Sequence, residues 1–358
     1  MRKILIIGFI ALLSLVLTYG FADAAITGPC VNCHTMHNSQ NGVSMATYGG
    51  FGTPPFYRLL RGNCLGCHGQ SSSGVAVVTV GGQKFPQVYH GVSSTQLAGG
   101  NFNYAADSQI HNVDFLGNPE DVGAMFPPPG DEWSNTMIAT DFTCSGSLGC
   151  HGNRNVTDPY NAVTGGHHGN VTVATTGSNP SAVATSYRFL LGVRGFENDD
   201  ATYPWENYNT IIHNEYWGAD AGPEATKTTP GTSGTISGLC AECHGDFHGV
   251  ADIGGAATSP FKRHPTDIKL LITGEYSAYT TYSTEAPVAR ASITTINVSG
   301  TNNIVIPGTD IVMCLSCHYA HGSANADLLR WSYAGMIAGG TSADTGCFTC
   351  HTTKNVAP

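Results

Sequence analysis

Cys314-Leu-Ser-Cys317-His318-Tyr-Ala-His321 is the stretch that decides how this 358-residue chain is built. Two thiols three residues apart, with an imidazole directly after the second, form the C-x-x-C-H signature of c-type haem attachment. The thiols add across the porphyrin vinyl groups, and the adjacent imidazole reaches the iron from one face. Both thioethers and the iron–nitrogen bond form from one tight turn, so the spacing is narrow. Four more copies occur at Cys30-Cys33-His34, Cys64-Cys67-His68, Cys240-Cys243-His244 and Cys347-Cys350-His351. A sixth is stretched to C-x5-C-H, at Cys144-Cys150-His151. All twelve cysteines are consumed, and every pair has its histidine.

Other uses of twelve cysteines fit less well. Disulfide frameworks belong mostly to shorter, cysteine-denser chains and give no reason for a histidine after each pair. Zinc takes four ligands, so six pairs would make three sites with the histidines unexplained. A redox dithiol needs one pair, not six. The expected cofactor is therefore six covalently attached haem c, with His34, His68, His151, His244, His318 and His351 as proximal ligands.

Nine histidines remain: His37, His90, His111, His167, His168, His213, His248, His264 and His321. Capping every iron on its second face needs six. The expected distal set is His37, His90, His111, His248, His264 and His321, with His167 or His168 as a candidate for one haem; His213 is unassigned. His37, His248 and His321 follow a proximal ligand by three or four residues. One short peptide cannot bring both imidazoles to opposite faces of one iron, so each such pair serves two neighbouring haems. Bis-histidine irons keep no vacant position for a substrate and exchange electrons, so no catalytic residue is expected. Ligand type and exposure tune their potentials.

Outward from the motifs, only 11% of residues are charged and the formal net charge is −10. A phosphate backbone would be repelled, which excludes a nucleic-acid partner. Met1-Arg2-Lys3, the apolar run Ile4–Leu17 and Ala22-Asp23-Ala24 read as a secretory signal peptide over 1–24. Residues 25–358 then form one exported haem-cored unit with no transmembrane segment after cleavage.

Proximal histidines are spaced unevenly, close near both ends and sparse in the middle, so the chain is not a solenoid. With 45 glycines, long elements are not expected. The fold class is mostly irregular coil with short helices and a few short strands, wrapped on haem. Val75–Val80 and Ile293–Ile306 read as strands, the latter as a hairpin turning near Gly300. Ala326–Tyr333 reads as a short helix, and Gly49–Gly52 and Gly339–Gly340 as loops.

With the motifs placed, the sequence resembles the OmcS-like family, the extracellular hexahaem cytochromes of metal-reducing bacteria that polymerise into conducting filaments. The likeness covers most of residues 30–351. It is carried by Cys30–Ser39 (CVNCHTMHNS), His111-Asn112-Val113, Tyr187-Arg188-Phe189-Leu190, Cys240–His248 with Arg263-His264-Pro265, and Cys314–Ser323 (CLSCHYAHGS). It implies six stacked bis-histidine haems and long-range electron transport at the outer cell surface, with redox partner cytochromes, metal oxides or electrodes as partners. It further implies a head-to-tail filament of identical copies, with His37 capping a haem of the adjacent copy. The chain departs from the family at the stretched third motif, which lacks a histidine shortly after it. Gly165-Gly166-His167-His168-Gly169 offers a substitute. Glu197–Trp217 has little counterpart. The alternatives are a soluble periplasmic electron shuttle and a multihaem oxyanion reductase; the reductase needs an iron with an open face, often marked by C-x-x-C-K, which is absent here.

Overall fold

The computed structural model describes residues 28–37, 39–41, 43–44, 58–70, 74–92, 97–113, 116, 142–168, 181–198, 200–220, 234–245, 264–293, 303–340 and 345–355. The segment 1–24 and the Gly49–Gly52 loop lie outside them, as does His248. Among the described residues no helix is long and apolar enough to cross a membrane.

The expected fold class holds: short elements, joined by turns. β1 (Ser39–Gln40) pairs antiparallel with β2 (Val43–Ser44). The second motif is itself a helix, α1 (Cys64–His68), capped by Asn63, whose Oδ1 accepts from Gly66 N at 2.8 Å. It runs into β3 (Gly69–Gln70). β4 (Val77–Val80) and β5 (Gln83–Pro86) form a hairpin turning at Gly81-Gly82, both with positive φ; the strand expected over 75–80 starts two residues later. β6 (Tyr89–His90) lies parallel to β3. Asp158 caps α2 (Pro159–Ala162), accepting from Tyr160 N and Asn161 N. β7 (Gly195–Phe196) pairs with β8 (Glu215–Tyr216). α3 (Ile236–Cys240) is capped by Thr235 and delivers the fourth motif. β9 (Ile268–Lys269) pairs with β10 (Ile311–Val312).

β10 separates two apolar clusters through the two-residue alternation of a strand. Ile311, fully buried, packs with Tyr187, Leu190, Tyr216 and Met313; Val312 packs with Leu270, Tyr279, Tyr282 and Val288. Beside them sits a buried polar group. Arg290 contacts Asp310 and lies 3.5 Å from Glu215, and His213 stacks on Tyr282 with ring centres 3.7 Å apart.

Two expected elements differ. The helix over Ala326–Tyr333 is a single turn at Ala326–Leu328, because Asp327 and Leu328 both take positive φ. Their carbonyls are committed elsewhere: Asp327 O accepts from His318 Nδ1 at 2.6 Å and Leu328 O from Tyr319 N at 2.8 Å. The hairpin over Ile293–Ile306 has its turn outside the described residues, and its second arm pairs with a different segment. Val305 N donates to Thr280 O and Ile304 bridges Thr281. Gly339, at φ 73, is in a turn as expected.

Candidate functional site

Four of the five-residue motifs close on themselves through a turn bond, and the second, Cys64–His68, is a helix. The histidine N–H donates to the first cysteine's carbonyl at 2.7 Å for His34, 2.9 Å for His244, 3.1 Å for His318 and 3.0 Å for His351. The stretched motif reaches the same closure: His151 N donates to Cys144 O at 2.9 Å. The extra residues leave as a small loop, with Gly149 N bonded to Gly146 O and Gly146 at φ 90. No cysteine is disulfide-bonded. Among the described residues no three or more His, Cys, Asp or Glu side chains are arranged to hold a metal by themselves.

The motifs line one cavity of about 1880 Å³, well above the roughly 300–1,000 Å³ of ordinary ligand pockets. Ten histidines face it: His34, His68, His111, His151, His167, His168, His244, His264, His318 and His321. The motifs adjoin in chain order. His167 and His168, consecutive in a turn entered through Gly165 at φ 83, reach the second and first motifs. The Cys64 and Cys144 thiols lie within interaction range of each other, as do those of Cys240 and Cys314. Cys150 lies within electrostatic reach of Cys243, and Cys317 of Cys350.

Five histidines that follow a cysteine pair each face a second imidazole. Ring centres are 5.8 Å apart for His34–His168, 6.3 Å for His68–His167, 6.3 Å for His151–His321, 6.2 Å for His244–His111 and 6.2 Å for His351–His264. With each nitrogen about 2 Å from a shared metal, and each ring centre roughly 1.2 Å behind its nitrogen, two imidazoles on one axis stand about 6.4 Å apart. The spacing therefore fits an iron between each pair.

Ring orientation fits as well. His34, His68, His151 and His318 donate Nδ1–H to Leu59 O, Pro86 O, Arg188 O and Asp327 O, at 3.0, 2.8, 2.8 and 2.6 Å. His111 and His264 donate likewise to Ala320 O and Pro265 O. An Nδ1–H committed to a carbonyl leaves Nε2 as a lone pair, the tautomer a metal needs. Desolvation in the cavity wall pushes His111, His151 and His167 down to about 4 and His321 to about 3. All four are neutral at physiological pH, as ligation requires.

The other described histidines that do not follow a cysteine pair, the expected ligands His90 and His37 and the unassigned His213, stand outside these pairs. His90 is fully buried in β6, where Asn101 Nδ2 lies 3.3 Å from its Nδ1. Asn101 Oδ1 accepts from His90 N and Asn103 N, and its amide nitrogen donates to His90 O at 3.2 Å. Among the described residues no proximal imidazole is paired with the His90 ring as in the five pairs above. His213 is buried against Tyr282 with Nδ1 on Asn214 O. His37 has φ 54, in a turn beside Met36, which is 66% exposed. Among the described residues no imidazole stands opposite His318. The signal for His167 and His168 is their adjacency after two glycines, which lets one turn serve two motifs.

Comparison with known proteins agrees with these motifs. Residues 309–356 match the family model described as a doubled CXXCH motif. The chain is 25% identical over 370 residues to the C-type cytochrome OmcS of Geobacter sulfurreducens, covering 85% of this chain and 79% of that protein. Two solved structures also align, an Outer Membrane Cytochrome S filament and OmcS nanowires seen by cryo-EM. Each is 19% identical with a TM-score of 0.46, over 89% and 93% of this chain and 87% and 92% of theirs. The likeness to OmcS-type cytochromes read from the motifs is thus found over most of the chain, and it supports covalently bound haem c.

Proposed function

We propose that this chain is a hexahaem c-type cytochrome that carries electrons over long distances outside the cell, polymerised head to tail. The observation that carries the reading is the set of five opposed imidazole pairs, four of them wholly along one cavity and the fifth reaching it through His264, at the separation of a shared iron axis. Bound haem supplies a one-electron iron couple, its potential set by axial ligands and exposure. The cysteine pairs anchor it, Nδ1 bonds hold the His34, His68, His151, His318 and His351 rings in the ligating tautomer, and motifs adjoining in chain order keep neighbouring sites close. The proposed pairs are His34 with His168, His68 with His167, His151 with His321, His244 with His111 and His351 with His264.

His318 takes its second imidazole from His37 of the next copy, which makes the subunit joint a coordination bond. The turn carrying His37, beside the exposed Met36, and the lack of an imidazole opposite His318 among the described residues support this. An iron at His318 left without a second imidazole is what the reductase alternative requires. Secreted material examined by electron microscopy and electron paramagnetic resonance separates them. Filaments with only low-spin iron, dispersed to monomers with one high-spin iron by His37→Ala, support the wire. Native monomers with one high-spin iron that binds carbon monoxide would refute it and favour the reductase.

A further inference from the structure

Four of the histidines that follow a cysteine pair hold their Nδ1–H against a neutral backbone carbonyl, as described above. His351 does not. Its Nδ1 meets Glu275 Oε1 at 2.7 Å, and the other oxygen of that carboxylate lies 3.3 Å from Lys354 Nζ. Glu275 opens the turn Gly274–Ala278, entered through Gly274 at φ 70, and its side chain is 14% exposed. That carboxyl sits between an imidazole N–H and the Lys354 ammonium, so the acceptor is an anion.

A carboxylate draws the Nδ1 proton more strongly than a carbonyl does and raises the donor strength of Nε2. A stronger axial donor favours the more highly charged, oxidised iron. We propose that Glu275 tunes the site held by Cys347, Cys350 and His351, making its iron harder to reduce than those whose proximal ring bonds a carbonyl. Glu275 acts through His351 and is a tuning residue. Lys354, on the far carboxylate oxygen, partly offsets it. The inference rests on the haem reading above and adds to it a built-in energy step once per subunit.

The test is a spectroelectrochemical titration of the haem-loaded protein, alongside haem count by intact mass and spin state by electron paramagnetic resonance. Glu275→Gln keeps an acceptor of the same shape and removes the charge. One of the one-electron waves should move positive by about 59 mV or more, a tenfold change in its reduction constant. Lys354→Met removes a 59% exposed side chain, and should move the same wave the other way. A full complement of low-spin haems with that wave moving oppositely in the two variants supports the proposal. A full complement with no wave moving, or all waves moving together, overturns it. A wild-type protein lacking haem at Cys347 and Cys350 overturns the haem reading itself.

Discussion

His90→Ala and His167→Ala separate a buried histidine from a proposed ligand. Both rings are enclosed, but His90 is 0% exposed with Asn101 against its Nδ1, whereas His167 faces His68 across 6.3 Å. Deleting the His90 ring leaves a cavity and strips Asn101 Nδ2 of one acceptor. By analogy with other buried large-to-small changes, the expected loss is roughly 2–4 kcal/mol of stability. Its spectrum should not change, since no iron loses a ligand. Deleting His167 opens the second face of the His68 iron, so one haem in six becomes high-spin and binds carbon monoxide. Guanidinium unfolding followed in the Soret band measures the first effect; carbon monoxide titration and electron paramagnetic resonance measure the second. A high-spin signal in His90→Ala, or none in His167→Ala, would refute the pairing.

Arg290→Met leaves Glu215 and Asp310, 3% and 4% exposed, without their cation, and breaking such a buried pair should cost about 3–5 kcal/mol. Desolvation already pushes the Asp310 carboxyl up. The folded form then binds a proton more tightly than the unfolded chain, so the variant should regain stability as pH falls from about 7.5 to about 5. Denaturant midpoints at the two pH values check the sign, and a deficit that grows on acidification would refute it. Cys144→Ser should leave a haem held by Cys150 alone, with its α-band shifted and six haems by mass; five haems would show that both sulfurs are needed for retention. Gly100→Ala, at φ 90 with a Cβ that would fall 2.2 Å from Gly322 O, should lower the melting temperature through the broken contact between the 100 and 322 segments, read by calorimetry.

The attachment motifs and the fold class were legible because they are local: a tight turn needs its cysteines and histidine within a few residues. Even the stretched motif obeyed that logic, closing His151 on Cys144 and expelling the surplus as a loop. The imidazoles that stand opposite the motif histidines are not local. His168 faces His34 from far along the chain, and only long-range wrapping brings it there. The short helix expected at Ala326–Tyr333 failed for a related reason. Its composition suits a helix, but its carbonyls orient His318 and pair with Tyr319, and a helix would have consumed them internally. Val305 likewise took its partner from Thr280 rather than from a hairpin mate.

Every ladder among the described residues has two strands, and the longest helices run five residues. Isolated pairs of strands and single helical turns are marginal in water, so the bare polypeptide has little with which to fold ahead of its cofactors. On that ground a newly made copy would present its thiols for haem attachment while still open, with order following loading. A copy that missed one attachment would stay loose around that motif and be cut there first, so proteolysis would act as the proofreading step for the finished molecule.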